Sequence, residues 1–383
     1  MKFRICMIIA RFHPYIGGTE LQALRLSQAL MAKGASVFVV TQRLKKLKKF
    51  EEINGLKIYR LFTFGKGIFA SFVFMFSSFI FFLKKAKKYD IIHAHLASSH
   101  AITAVIAAKL FNKKVVLKLG GAGPTGDIGT GTASIIGKYK LKFIRNRVNA
   151  FIVPSSEIKD ELIANHFPES KIYHIANGVN TDLFSPVNLE EKHMLRMQLR
   201  LPGKYLVVYA GRIEPGKGVG ILLESWGSIV QRFPEAHLLI LGEGSLKDGL
   251  IRELSNKSYK QQVYFLDNVQ AVSKYLQASD IFVLPSLAEG LSNALLEAMS
   301  CGLAIITTKI GGIEDIIIDN ENGILFAPDD IDSLSQKILF LFDNPERAAN
   351  LGITARLTVE RNYSLSEISQ RYLQLYNRIL CEN

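Results

Sequence analysis

Short apolar runs, each followed by a helical pattern, repeat from one end of the chain to the other. FRICMIIA (3–10), SVFVVTQ, KKVVLKL, YLVVYAG, HLLILG, DIFVL and LAIITT have the continuous apolar character of strands buried on both faces. Between them lie stretches such as LQALRLSQALMAKG, whose apolar residues recur at helical spacing. This alternation builds parallel sheets with helices on both faces, an α/β class. At 383 residues the chain exceeds one such core, so two domains are expected. The polar, Pro-containing stretch around 181–203 reads as the hinge. It places a first domain at 1–182, a second at 183–360 and a terminal helix in 361–383. The opening MKFRICMIIARFHP is expected to be a buried strand rather than a signal peptide.

One strand–loop–helix stretch carries most of the chemistry. Asp280–Leu284 reads as a strand that Pro285 ends, and Ala294–Met299 reads as a helix that Gly302 stops. Glu289 then lies in the loop at the strand's carboxyl end, and Glu297 lies on the helix. The amides of Gly290, Leu291, Ser292 and Asn293 open that helix and suit a phosphate. Glu297 could accept from vicinal hydroxyls such as those of a ribose, and Glu289 could hold a second sugar. Either glutamate alone reads as a surface charge. The pair, in an E-x7-E spacing directly after a strand, fits a nucleotide-sugar.

A second strand end bears Arg212 and Lys217 around a Pro-Gly turn, a fork of donors and a point charge suited to a diphosphate. Gly17 and Gly18 stand at the first strand-to-helix turn, where the backbone can approach a bound group. His93 and His95 share one face of a strand and lack a third ligand, so no metal is assigned to them. Gly121, Gly123 and Gly126 form a G-x-G-x-x-G after a late strand, with no acidic residue about 20 positions on, which argues against a dinucleotide site. Asp330 and Asp332 precede a helix and read as capping residues. Cys6, Cys301 and Cys381 are too scattered for a disulfide framework, which fits a reducing cytosol.

Charge is one-sided. Residues 1–180 carry 28 Lys and Arg against 9 Asp and Glu, a net +19, while the remainder carries 19 against 25, a net −6. The first half is therefore expected to meet something anionic. Within it, IFASFVFMFSSFIFFL (68–83) is apolar or Ser throughout and shorter than the ~20 residues of a bilayer span. Lys45, Lys46, Lys48 and Lys49 precede it, and Lys84, Lys85, Lys87 and Lys88 follow. Part of it is expected in the core and part in a membrane interface.

EGLSNALLEAMSCGLAIITT resembles, almost residue for residue, the core motif of the retaining glycosyltransferases of the GT-B fold, family four. GGTELQALRLSQALMAKGASVFVVT is similar to the opening of that family, R-x4-K to its diphosphate-binding pair, and KIYHIANGVNTDLF to the last strand of its first domain. The resemblance covers essentially the whole chain. It implies a GT-B fold: two Rossmann-like domains facing across a cleft, the first binding acceptor and the second the nucleotide-sugar, with the final helix crossing back. It implies that Glu289 contacts the donor sugar, the amides of Gly290–Asn293 with Arg212 and Lys217 hold the diphosphate, and Glu297 binds ribose. Leu266 and Val269 would pack the base, and Gly17 and Gly18 would approach the diphosphate or sugar. Arg212, Lys217 and Glu289 form the expected catalytic set.

His95 and Gly120 are placed on the sugar or acceptor side. Many members carry a His where Gly120 stands, so the donor sugar stays open. The reaction implied is transfer with retention from a nucleotide-diphosphate-sugar, UDP favoured over GDP, with no cofactor and no metal. The acceptor would be a cell-surface glycan or polyprenyl-linked intermediate. The expected location is the cytoplasm, peripheral on the inner face of the plasma membrane, with an anionic membrane surface as partner. The rival readings are a nucleotide-sugar epimerase or hydrolase of the same fold, an NAD-dependent dehydrogenase, and a basic nucleic-acid or membrane-binding protein without catalysis. The glutamate pair speaks against nucleic acid, and none is expected as a partner.

Overall fold

A computed structural model describes residues 3–382 apart from Ile16, Gly203, Asn268 and Gln270. The chain forms two compact units. The first runs to Gly178 and takes back the residues from Leu365 on; the second is Val179–Ser364. The sequence reading puts these divisions at 182/183 and 360/361.

The first unit contains β1 (Arg4–Ile8), α1 (Gly18–Ala32), β2 (Ser36–Gln42), β3 (Phe50–Ile53), β4 (Leu56–Leu61), α2 (Gly67–Lys85), β5 (Ile91–His95) and α3 (Ser99–Leu110). It continues with β6 (Lys114–Lys118), α4 (Asp127–Thr132), α5 (Ile135–Arg147), β7 (Ala150–Val153), α6 (Ser156–Ala164) and β8 (Ile172–His174). The second contains α7 (Leu189–Leu199), β9 (Leu206–Ala210), α8 (Val219–Arg232), β10 (His237–Leu241), α9 (Lys247–Ser255), β11 (Val263–Leu266) and α10 (Val272–Ala278). After these come β12 (Ile281–Leu284), α11 (Asn293–Ser300), β13 (Ala304–Thr308), α12 (Gly311–Glu314), β14 (Ile324–Phe326), α13 (Ile331–Asp343) and α14 (Pro345–Asn362). The last helix, α15 (Leu365–Cys381), packs on α1 in the first unit.

The first sheet has eight strands in the order β3-β4-β2-β1-β5-β6-β7-β8, and the second six in the order β11-β10-β9-β12-β13-β14. Pairing is parallel except at the edge strand β3, which turns back on β4. That hairpin is closed by Asn54 and Gly55, both with positive φ, as a two-residue primed turn requires. The inner strands are buried on both faces, which is why their sequences are apolar without alternation. On one face of the first sheet α2, α3 and α5 share a core that includes Phe74, Phe82, Ala104 and Ile144.

In both sheets strand order reverses beside the first strand of the unit: between β1 and β5, and between β9 and β12. Such a switch point leaves a crevice at the carboxyl ends of the strands, where open α/β sheets bind ligands.

The stretch read as a hinge holds α7. Asn188 accepts from the Glu191 amide and Glu191 returns a carboxylate to the Asn188 amide, a capping box. Arg196 and Lys192 of this helix pair with Asp280, which ties it to the start of β12.

Candidate active site

The loops after β9 and β12 flank the second unit's switch point, and they bring two of the expected residues, Lys217 and Glu289, into contact. Lys217 Nζ donates to Glu289 Oε1 at 2.8 Å, and Ser286 Oγ donates to the same oxygen at 2.8 Å. The two loops are stitched by Leu287 N to Gly216 O at 2.8 Å. Gly218, at φ +69°, sits so close to the second loop that a Cβ would lie 1.9 Å from the Pro285 carbonyl oxygen. Only glycine fits there. Tyr209, buried under this layer, donates its hydroxyl to the Arg212 carbonyl at 2.8 Å and so fixes the backbone from which Arg212 projects into solvent. Burial pushes the Tyr209 hydroxyl pKa up, and Glu289 adds to the effect.

The third loop, after β13, closes on the same place. A Cβ on Gly312 would lie 2.2 Å from the Gly290 carbonyl oxygen. Thr308 hydrogen-bonds the Ser286 carbonyl, and Thr307 the Leu284 carbonyl. The loop carrying Glu289 is thus held from both sides before it enters α11. Ser292 caps that helix by accepting from Leu295 N at 3.3 Å. Leu291 and Ser292 are buried, Gly290 and Asn293 half-buried. Glu297, on α11, is only 6 % exposed. Leu266 ends β11, and its carbonyl receives Gly242 N at 3.2 Å. Val269 follows three residues on, half-buried. Asp330 caps α13 by accepting from Ser333 N at 2.9 Å.

In the first unit Gly17 is the N-cap of α1 with no side-chain cap. The Glu20 carboxylate stands over this helix start, where a Cβ on Gly17 would lie 2.3 Å from Oε2. An anion reaching the amides of Gly18 would have to displace it. Gly120 follows β6. A Cβ there would lie 2.6 Å from Leu96 Cδ2, so a histidine at this position requires the Leu96 side chain to shift. The Gly120 amide is held at 2.7 Å by Asp127, whose other oxygen receives Ala97 N at 2.6 Å.

His95 is not at a surface. It is fully buried, its ring stacked on His93 at 4.6 Å, with neither ring nitrogen hydrogen-bonded. His93 Nδ1 meets the Tyr376 hydroxyl of α15 at 2.7 Å, and Lys118 donates to Asn177 at 2.8 Å. Burial lowers the His93 pKa to about 3 and the Lys118 pKa to about 7. Burial thus keeps His93 and His95 neutral beneath α15. Among the described residues no cluster of three or more His, Cys, Asp or Glu is placed to hold a metal ion.

Sequence reasoning missed Ser286, Asp127 and Tyr209. Each acts by orienting a backbone or a carboxylate across loops, and no local spacing marks it.

The fold and loops define a glycosyltransferase of the GT-B class. The chain aligns with HepE of Anabaena, solved in complex with UDP and glucose, at a TM-score of 0.82 and 18 % identity over 98 % of this chain and 99 % of that one. Residues 16–183 match the family described as Glycosyltransferase Family 4, and residues 192–358 match Glycosyl transferases group 1. The chain therefore belongs to the family-four, group 1 glycosyltransferases. It is 25 % identical to an uncharacterised glycosyltransferase of Methanocaldococcus jannaschii over 97 % of both chains. It is 30 % identical, over 52 % of this chain and 54 % of the other, to a GDP-mannose-dependent monoacylated alpha-(1-6)-phosphatidylinositol monomannoside mannosyltransferase of Corynebacterium glutamicum.

Proposed function

We propose that the enzyme moves a hexose from a nucleotide-diphosphate-sugar to a lipid-linked or cell-surface glycan acceptor with retention at the anomeric carbon. The observation that carries this reading is the convergence of Lys217, Glu289 and the start of α11 at the switch point, with Arg212 on the same loop as Lys217. Without substrate, Glu289 holds the Lys217 ammonium in place. With donor bound, Lys217, Arg212 and the amides of Gly290–Asn293 face the diphosphate, Glu289 turns a carboxylate oxygen to the sugar, and Glu297 takes the ribose hydroxyls. The bond from the anomeric carbon to the diphosphate oxygen breaks, and negative charge gathers on the diphosphate. The acceptor oxygen bonds the same carbon on the same face, and its proton passes to the departing phosphate oxygen. Two cations and a row of amides supply the charge stabilisation, so the reaction proceeds without a metal.

UDP is favoured as the donor nucleotide. HepE is solved with UDP and glucose, while the Corynebacterium relative is GDP-mannose-dependent. The basic first half supports an acceptor at an anionic membrane surface on the cytoplasmic side.

The test is transfer of labelled sugar from α-linked UDP- and GDP-hexoses to an extracted polyprenyl-lipid acceptor in excess EDTA. The expected product carries an α-linkage, by NMR, at a rate EDTA leaves unchanged. A β-linked product, or an epimerised or hydrolysed donor with no transfer, overturns the proposal.

A further inference from the structure

The first unit carries apolar surface that its own fold does not cover. α2 sends Phe74, Ser78 and Phe82 into the core. Ile68, Phe69, Phe72 and Phe76 remain 58–76 % exposed. By length and composition the helix from Gly67 to Lys88 could cross a bilayer. Phe74 and Phe82, however, are fully buried in the core shared with α3, and withdrawing the helix would open that core. α2 is therefore a surface helix with an uncovered apolar side.

A second exposed apolar group stands on α5, where Ile135, Ile136 and Tyr139 are 74 %, 81 % and 70 % exposed. The two groups are far apart in sequence but share an edge. β4, β5 and β6 are parallel, and α2, α3 and α5 each run back from the carboxyl ends of these strands, side by side over one core. Each helix therefore starts at the carboxyl edge of the sheet. The loop from β2 to β3 lies at this edge too, because β3 enters antiparallel with Phe50 opposite Tyr59. That loop holds the exposed Lys45, Lys46, Lys48 and Lys49, and exposed Lys138 and Lys142 flank Tyr139. Neither 43–49 nor 133–147 contains a carboxylate.

We propose that this carboxyl rim of the first sheet docks onto an anionic phospholipid leaflet, with the starts of α2 and α5 as two apolar anchors and the lysines meeting headgroups. Charge selects the occupant. A second copy would set one lysine cluster against another, whereas an anionic leaflet complements both. Two anchors at one edge fix the unit's tilt, which a single helix would leave free. The inference deepens the proposed lipid-linked acceptor but requires none of the transfer chemistry.

The experiment is co-sedimentation of the full chain with vesicles of phosphatidylcholine alone and of phosphatidylcholine with phosphatidylglycerol, at low and high salt. Binding to the anionic vesicles is expected to be at least about tenfold tighter and to weaken with salt. F69S/F72S and I135S/I136S are each expected to lower it by about tenfold or more. Circular dichroism and UDP binding, which belongs to the second unit, are expected to stay unchanged in both variants. Equal binding to both vesicle types overturns the proposal. So does wild-type binding by I135S/I136S, or a dimer by light scattering that the same substitutions dissociate. Loss of vesicle binding with UDP binding intact would leave the proposed chemistry standing, and the converse result would leave the rim standing.

Discussion

Lys217→Ala is expected to lower kcat by about two to three orders of magnitude, the effect of removing one preorganised group that meets charge developing in a transition state. The loss should fall on kcat more than on KM. Charge on the diphosphate grows as the sugar bond breaks, so the ammonium contributes most after binding. Glu289 would keep Ser286 as a partner but lose its cation, and the Glu289 side chain is only 13 % exposed. The substitution should therefore cost some stability, on the order of 1 kcal/mol, without unfolding a unit whose core lies elsewhere. The only tryptophan, Trp226, is buried in α8 of the same unit, so its emission checks that the fold survives. Lys217→Arg should recover only part of the rate. A planar fork cannot reproduce a point charge seated 2.8 Å from Oε1. Full turnover by Lys217→Ala would remove the lysine from the chemistry.

The second large effect is acid lability of the first unit. His93 is fully buried, and burial, with Lys118 adding to it, lowers its pKa to about 3. Burial likewise lowers His100 to about 4 and holds His95 well below its ordinary range. In the unfolded chain all three titrate near 6.5. Between that value and about 4 the unfolded state binds protons that the folded state refuses, so stability falls as pH falls. The slope is up to about 1.4 kcal/mol per pH unit for each histidine. Over two pH units three such groups approach the whole stability of a typical domain, ~5–15 kcal/mol.

Lys118 extends the dependence upward. Its folded value of about 7, set by burial, lies below the ordinary lysine range, so stability continues to rise as pH climbs from about 7 toward 10.5. Asp127 works against the trend. Burial raises its carboxyl pKa, which favours the folded state on acidification, but it is one group against three. The expected result is a urea midpoint that drops steeply below pH 6.5. Circular dichroism should detect the first unit unfolding while Trp226 emission still reports a folded second unit. His95→Gln should flatten the slope by about one proton. A midpoint unchanged between pH 7 and 5 would contradict the buried neutral cluster.

The two parallel sheets, and the loops at their switch points, were legible because each depends on local pattern. Inner strands such as Leu206–Ala210 must be apolar on both faces. The resemblance assigns Lys217 and Glu289 to one site, but their direct contact has no signal in the sequence, since 72 residues separate the partners. Two local signals were overlooked. Asn188 and Glu191 spell a capping box, yet the Pro residues around them made the segment read as hinge rather than α7. Ile53-Asn54-Gly55-Leu56 spells a hairpin turn, and β3 and β4 follow from it.

What could not be read is set by tertiary packing. Alternation puts His93 and His95 on one face of β5, but only the return of α15 decides that this face is buried. Similarly, the Phe-rich run shows that α2 has apolar surface to spare. That α5 offers a second patch at the same edge requires knowing which way each helix runs from its strand.

The most direct measurement is a crystal structure of the chain with a UDP-sugar or UDP bound. The diphosphate is expected within hydrogen-bonding reach of Lys217 Nζ, the Arg212 guanidinium and the amides of Gly290–Asn293, with ribose hydroxyls on Glu297. A diphosphate bound away from that helix start, with the Lys217–Glu289 pair untouched, would contradict the proposed chemistry.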